Sequence, residues 1–298
     1  MNTLPKIGWI GLGKMGLPMA GQLAGAGYPL TVFNRTAAKC APLTERGAEA
    51  AETVAAAASG AGIVISMVSD DTALEAVALG ADGIFANAEQ GTPFIDMSTV
   101  SPAISANIAA AAAEAGLPYL RAPVSGSVAV AEQGALVILA SGPESAFEQC
   151  RPVFETIGGK IFYIGGDDQA RYLKLSINIM VGITSMMMGE ALAFGESGGL
   201  DWRQMIDIIA ASAVGAPVIQ YKLETLKNRD FAPAFTARQM AKDFDLALST
   251  ANAANLPLPI TALVRQHWSA MIGSGHGERD YFAYVEMLEE MAGLKPKT

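Results

Sequence analysis

At 298 residues, 51% of them hydrophobic, the chain exceeds the usual single-domain size and carries enough apolar material for two large cores. Its net charge of −9, with no basic run, argues against a nucleic-acid partner and against an anionic membrane surface. Two distant cysteines, Cys40 and Cys150, and two isolated histidines, His267 and His276, supply neither a disulfide framework nor a metal site; the expected compartment is a reducing cytoplasm.

In chain order, residues 6–10 read as a buried strand, so the apolar N-terminal residues are assigned to the fold rather than to a targeting segment. The strand runs into Gly11-Leu12-Gly13-Lys14-Met15-Gly16 and then into helix-compatible residues 17–23. This is a G-x-G-x-x-G between strand and helix. Gly11 makes the tight turn, Gly13 lets a diphosphate touch the backbone, and Gly16 lets the helix pack on the sheet, while the helix N-terminus offers unpaired N–H groups. A purely structural turn is the competing reading.

Residues 30–33 form a second strand, which ends in Asn34-Arg35-Thr36. A unit selective for NAD presents a carboxylate here, about 20 residues after the glycines, to hold the ribose 2′-hydroxyl. None is present, and Arg35 offers a planar fork of donors to a 2′-phosphate. The expected cofactor is therefore NADP(H) in preference to NAD(H), the alternative being that Arg35 caps a surface turn. Lys39 is read as an ordinary surface lysine.

Further strands are expected at 63–68, 93–96, 119–122, 137–140 and 161–164, with helical segments between them. That alternation implies a mostly parallel, doubly wound sheet. Ligands bind beyond the carboxyl ends of such strands, where the glycine motif, Asn34, Met67, Val68, Ser69 and Thr99 converge. From residue 168 onward the texture becomes helical, with segments to about 196 and then 201–213, 218–226, 237–254 and 259–272, Asp201 being a candidate N-cap. The expected architecture is α/β, with an N-terminal doubly wound Rossmann domain at 1–165 and a C-terminal all-α domain at 166–298.

The apolar stretch 175–189 is too short to span a bilayer and is interrupted or flanked by Lys174, Ser176, Asn178 and Glu190. Its apolar side chains, including Ile177, Met180, Val181, Ile183, Met186, Met187 and Met188, exceed what one small helical domain buries, so at least a homodimer is expected.

Three further signals carry chemistry. Lys174 and Asn178 stand at i and i+4 on one helix and share a face. A lysine in an otherwise apolar helix is either a snorkelling surface residue or an amine facing a polar cleft, where it serves as a general acid or base. Pro123-Val124-Ser125-Gly126-Ser127 is a turn of small residues whose N–H groups and hydroxyls suit a substrate carboxylate and oxygen. Lys242-Asp243 is more economically read as a solvated pair.

Together these residues carry a family resemblance. The glycine motif with Leu17-Pro18-Met19-Ala20, Asp96-Met97-Ser98-Thr99, Ala122-Pro123-Val124-Ser125-Gly126, Lys174 with Asn178, and Lys242-Asp243 follow the order and spacing of the β-hydroxyacid dehydrogenases. That family includes 3-hydroxyisobutyrate dehydrogenases, tartronate semialdehyde reductases and glyoxylate or succinic semialdehyde reductases. The resemblance implies that Lys174 is the acid/base, that Ser125, Gly126, Ser127 and Asn178 bind a small acidic substrate, that Val68, Ser69, Thr99 and Lys242 approach the cofactor, and that the protein is a homodimer or homotetramer. Two positions depart from the family pattern, Arg121 in place of an aspartate and Ile177 in place of an asparagine. Arg121 is expected to pair with a structural carboxylate, or else to hold a second acidic group of the substrate. An imine reductase and a non-catalytic NADP-sensing module are the rival functions; Lys174 counts against the first, and Lys174 together with the Ser-Gly turn counts against the second.

Overall fold

The computed structural model describes residues 4–294 and divides into two compact units, Met1–Lys174 and Leu175–Thr298. The first unit begins with β1 (Ile7–Ile10), α1 (Gly16–Gly25), β2 (Leu30–Phe33) and β3 (Glu49–Ala50), followed by α2 (Val54–Ala58), β4 (Ile63–Ser66) and α3 (Asp71–Leu79). It continues through β5 (Phe94–Asp96), α4 (Pro102–Glu114) and β6 (Tyr119–Arg121). These strands form one parallel sheet in the order β3-β2-β1-β4-β5-β6.

Alternation along the strands explains why helices cover both faces. Ile7, Trp9, Ile63, Ile65, Ile95 and Leu120 enter one core with α1, whereas Ile10, Val64, Phe94 and Tyr119 enter another with α3 and α4. A parallel sheet buried on both sides needs apolar residues at every position, as the continuously buried β1 and β4 have.

The chain then leaves the sheet. Pro123 lacks the N–H that a central ladder needs, and β7 (Val124–Ser125), α5 (Val128–Glu132), β8 (Leu136–Ala140), α6 (Glu144–Ile157) and β9 (Gly158–Tyr163) build a second, three-stranded sheet. There β7 pairs antiparallel with β8, and β8 parallel with β9. The sequence reading thus has the right fold class but places in one sheet strands that occupy two. It also omits β3 and β7, which are two residues long and carry no β-branched run.

Helix α7 (Gln169–Ser197) begins in the first unit and continues into the second. At 29 residues it is longer than the apolar stretch inside it, and by length and composition alone it could cross a membrane. Arg171, Asn178, Ser185 and Glu196 are nevertheless buried along it. The remaining labelled helices are α8 (Trp202–Ala211), α9 (Ala237–Ala253), α10 (Pro259–Gly273) and α11 (Tyr284–Ala292). With the second part of α7 they enclose a core containing Leu192, Ile206, Phe244, Trp268 and Tyr284. Asp201 caps α8 by accepting from the Gln204 N–H at 2.8 Å, as expected, and Thr236 with Gln239 forms a capping box on α9. The sequence reading stops before α11.

Candidate active site

The strands of the six-stranded sheet all run the same way, so the segments that follow β1, β2, β4 and β5 emerge along one edge. Two of the three motif glycines are demanded by the fold. Gly11 has φ +100°, and a Cβ there would lie 2.2 Å from the Met67 carbonyl oxygen; at Gly16 it would lie 2.1 Å from the Gly11 carbonyl oxygen. Gly13 differs. A Cβ built on it meets nothing within 4 Å, and its φ lies outside the glycine-favouring region. Neither conformation nor a neighbour requires glycine at that point, whereas a diphosphate resting on the backbone does. Helix α1 starts at Gly16 with no side-chain cap, but Leu17 N–H already donates to the Gly13 carbonyl at 3.1 Å and Pro18 has no N–H, so the helix offers an anion the positive end of its dipole rather than the expected row of unpaired N–H groups. This arrangement fits a dinucleotide.

Around this turn the polar groups are engaged locally. Trp9 Nε1 donates to the Gly11 carbonyl at 2.9 Å, and Gly11 N–H to Phe33 O at 2.9 Å. The Asn34 amide accepts from Leu12 N–H at 2.9 Å and donates to Thr36 O at 3.0 Å, so it fastens the glycine turn to the segment after β2. Arg35 and Thr36 are exposed. Beyond β4, Val68 N–H donates to Ser98 Oγ at 2.8 Å, and Ser69 Oγ donates to Asp70, which caps α3. Met67, Val68 and Thr99 are half-buried.

Ser125, Gly126 and Ser127 do not form the simple turn expected from sequence. Ser125 is paired in β7 with Val137, and the Ser127 side chain caps α5 by accepting from Val130 N–H at 3.4 Å. Arg121 is buried, donates to Asp168 at 2.9 Å and lies 4.6 Å from the centre of the Tyr119 ring, which is the structural pairing anticipated for it.

Lys174 is half-buried near the start of α7, three residues after Arg171. Arg171 is 1% exposed and pairs with Asp96 at 2.5 Å. Burial alone would lower its pKa, yet the Tyr119 hydroxyl and the Asp96 carboxylate raise it above the ordinary value, while burial pushes the Tyr119 hydroxyl up. The sequence reading omits this pair, because Arg171 looks like one more polar residue ahead of an apolar helix.

In the second unit Asn178 is buried and donates to Asp243 Oδ2 at 2.5 Å, while Lys242 pairs with Asp243 Oδ1 at 3.1 Å. The solvated reading of Lys242-Asp243 is therefore corrected. Asp243 is 2% exposed, because it lies on the same face of α9 as the buried Met240, Phe244 and Ala247. Asp243 joins two candidate residues, Asn178 and Lys242, that sequence reasoning treats separately. Among the described residues no group of three or more His, Cys, Asp or Glu side chains is placed to hold a metal ion. Both cysteines are free and buried.

Residues 6–165 match the NAD binding domain of 6-phosphogluconate dehydrogenase, and residues 169–288 match the family described as NAD-binding of NADP-dependent 3-hydroxyisobutyrate dehydrogenase. The chain is 34% identical over 295 residues to 2-(hydroxymethyl)glutarate dehydrogenase of Eubacterium barkeri, covering 99% of this chain and 98% of that one. It is 33% identical to an NAD-dependent L-serine dehydrogenase of Pseudomonas aeruginosa, covering 97% of this chain and all 100% of the relative. Among solved structures, Psf3 in complex with NADP+ and 2-OPP superimposes with a TM-score of 0.87 at 26% identity, covering 95% of this chain and 99% of that one.

Proposed function

Because the chain belongs to the β-hydroxyacid dehydrogenases, pyridine-nucleotide-dependent oxidoreductases, we propose that it interconverts a short 3-hydroxy acid and its semialdehyde, or a 2-oxo acid and its hydroxy acid, using NADP(H). The observation that carries the cofactor site is the open space at Gly13 between two glycines that the fold itself requires. The preference for NADP(H) rests on Arg35 and on the absence of a carboxylate at 34–36, although relatives of both kinds exist.

Bound at this edge, the nicotinamide supplies or accepts the hydride. The glycine turn and the N-terminus of α1 hold the diphosphate, and Arg35 holds the 2′-phosphate. Lys174 gives its proton to the substrate oxygen during reduction and takes it back during oxidation, and its ammonium stabilises the charge that develops on that oxygen. Asn178, one turn further along α7, orients the amine, and Asp243 in turn orients Asn178. Ser125, Gly126 and Ser127 receive the substrate carboxylate, and Val68, Ser69, Thr99 and Lys242 border the cofactor. The buried charges along α7 and the acidic surface favour a protein that acts away from membranes and nucleic acid, and the two free thiols favour a reducing cytoplasm.

The test is Lys174→Ala, assayed against 3-hydroxyisobutyrate, glyoxylate, succinic semialdehyde and tartronate semialdehyde with NADP⁺ or NADPH. Turnover is expected to fall by about 10²–10⁴ with NADPH binding retained, and Lys174→Arg is expected not to restore it, because a guanidinium holds its proton too tightly. Near-normal turnover by Lys174→Ala on every substrate the wild type accepts would refute the assigned role.

A further inference from the structure

The residues just ahead of and at the start of α7 are tied to the sheet by Arg121 and Ser105 on Asp168 and by Ser141 on the Ala170 N–H, and within the helix itself the largest set of such bonds is made by one side chain. Arg171 donates through Nη2 to Asp96 Oδ2 at 2.5 Å and to the Tyr119 hydroxyl at 2.9 Å, and through Nη1 to the Ser98 carbonyl at 2.7 Å. The other oxygen of Asp96 accepts from Ser98 Oγ at 2.6 Å, and Ser98 Oγ accepts from the Val68 N–H at 2.8 Å. An unbroken hydrogen-bonded path therefore leads from the loop after β4, across the end of β5, to a guanidinium three residues before Lys174. Positions i and i+3 lie on one helix face, so the path ends beneath the lysine.

Stability alone does not call for such a pair. Two ions buried this deeply gain little over apolar side chains of the same volume, because desolvation offsets their attraction. What the pair adds is direction. A planar guanidinium bound on several sides engages its partners in one orientation, so it resists sliding and rotation of the helix that carries it more than an apolar contact does. We infer that Arg171 is a positioning residue: through Asp96 and Ser98 it fixes the rotation and register of α7, and so holds Lys174 against the loops at the nucleotide edge. The inference rests on the reading of Lys174 as the acid/base.

A double-mutant cycle separates the two ideas. Arg171→Lys, Lys174→Ala and the double variant are compared by kcat on a substrate from the panel above, at saturating NADPH or NADP⁺, per NADPH-binding site titrated by nicotinamide fluorescence. Misplacing a reacting group by about 1 Å costs on the order of 10² in rate, so Arg171→Lys is expected to lower kcat about 100-fold, with the KM for NADPH changed less than about twofold. In the Lys174→Ala background the same change is expected to have no further effect. Equal losses in both backgrounds, or a wild-type kcat for Arg171→Lys, would overturn the inference. If Lys174→Ala itself keeps the wild-type kcat, or the wild type turns over none of the panel, the reading of Lys174 is what fails, and the inference falls with it. Should Arg171→Lys not fold, the paired change Asp96→Asn with Arg171→Met removes both charges at similar volume. It is expected to fold and to show the same loss of kcat; a folded pair with wild-type kcat, or a pair that does not fold, would reduce Arg171 to a structural residue.

Discussion

Alanine placed at each of the motif glycines separates what the fold needs from what the ligand needs. At Gly16 the added methyl would meet the Gly11 carbonyl oxygen at 2.1 Å, so α1 or the end of β1 must move, and overpacking of this kind costs about 1–3 kcal/mol. At Gly11 a similar clash at 2.2 Å is joined by φ +100°, which adds backbone strain of about 1–3 kcal/mol. At Gly13 the methyl enters open space without strain, and restricting the unfolded chain stabilises the protein by about 0.4–1 kcal/mol. The expected outcome is that Gly13→Ala unfolds in urea at or slightly above the wild-type midpoint, whereas Gly11→Ala and Gly16→Ala unfold earlier. By calorimetric titration Gly13→Ala is nevertheless expected to bind NADPH at least about tenfold more weakly, a loss of about 1.4 kcal/mol. If Gly13→Ala binds NADPH like the wild type, or is as destabilised as Gly16→Ala, the assignment of that space to a diphosphate is wrong.

The parts of this site that are legible in sequence are those built from neighbouring residues. The glycine turn can be read because its three glycines sit between a strand-like run and a helix-like run, and Asn34-Arg35-Thr36 because β2 ends at Phe33. Lys174 and Asn178 can be read because i and i+4 are adjacent on any helix. The groups that hold these residues come from far along the chain: Asp243 is 65 positions from Asn178, and Asp96 is 75 from Arg171. A buried carboxylate and an exposed one look alike in sequence until the fold supplies the partner, which is why Asp243 passes for a solvated residue. Strands β3 and β7 are likewise pairings made by neighbours rather than by local propensity, and no run of two residues announces them.

Three further outcomes follow from the same geometry. Arg35→Ala is expected to erase most of a preference for NADPH over NADH of roughly 10- to 150-fold, the equivalent of about 1.5–3 kcal/mol for a charge-assisted hydrogen bond; equal affinities in the wild type would refute the reading of Arg35. Burial pushes the Cys150 thiol up to about 12 from 9.0, so in the folded state it stays protonated while the unfolded chain ionises. Its contribution is therefore whole below pH 9 and is lost as pH rises from 9 towards 12, and the urea midpoint of the wild type should fall more steeply over that range than that of Cys150→Ala; parallel slopes would contradict this. The last concerns assembly. Met180, Met187 and Phe194 are 71%, 57% and 81% exposed on α7, and their seven-residue spacing places them on one face. Met186, Met188 and Leu192, by contrast, enter the core of the second unit, so the helix has one apolar side satisfied and another bare. Fully covering a side chain of this size is worth about 1.5–3 kcal/mol, and a two-fold interface covers these three residues on both copies, a gain of the same order as the ~4–15 kcal/mol that association costs. Light scattering is expected to show at least a dimer, and Met187→Glu to shift it towards monomer while the fold, judged by circular dichroism, persists; a wild-type monomer at micromolar concentration would refute the assignment of that face to self-association.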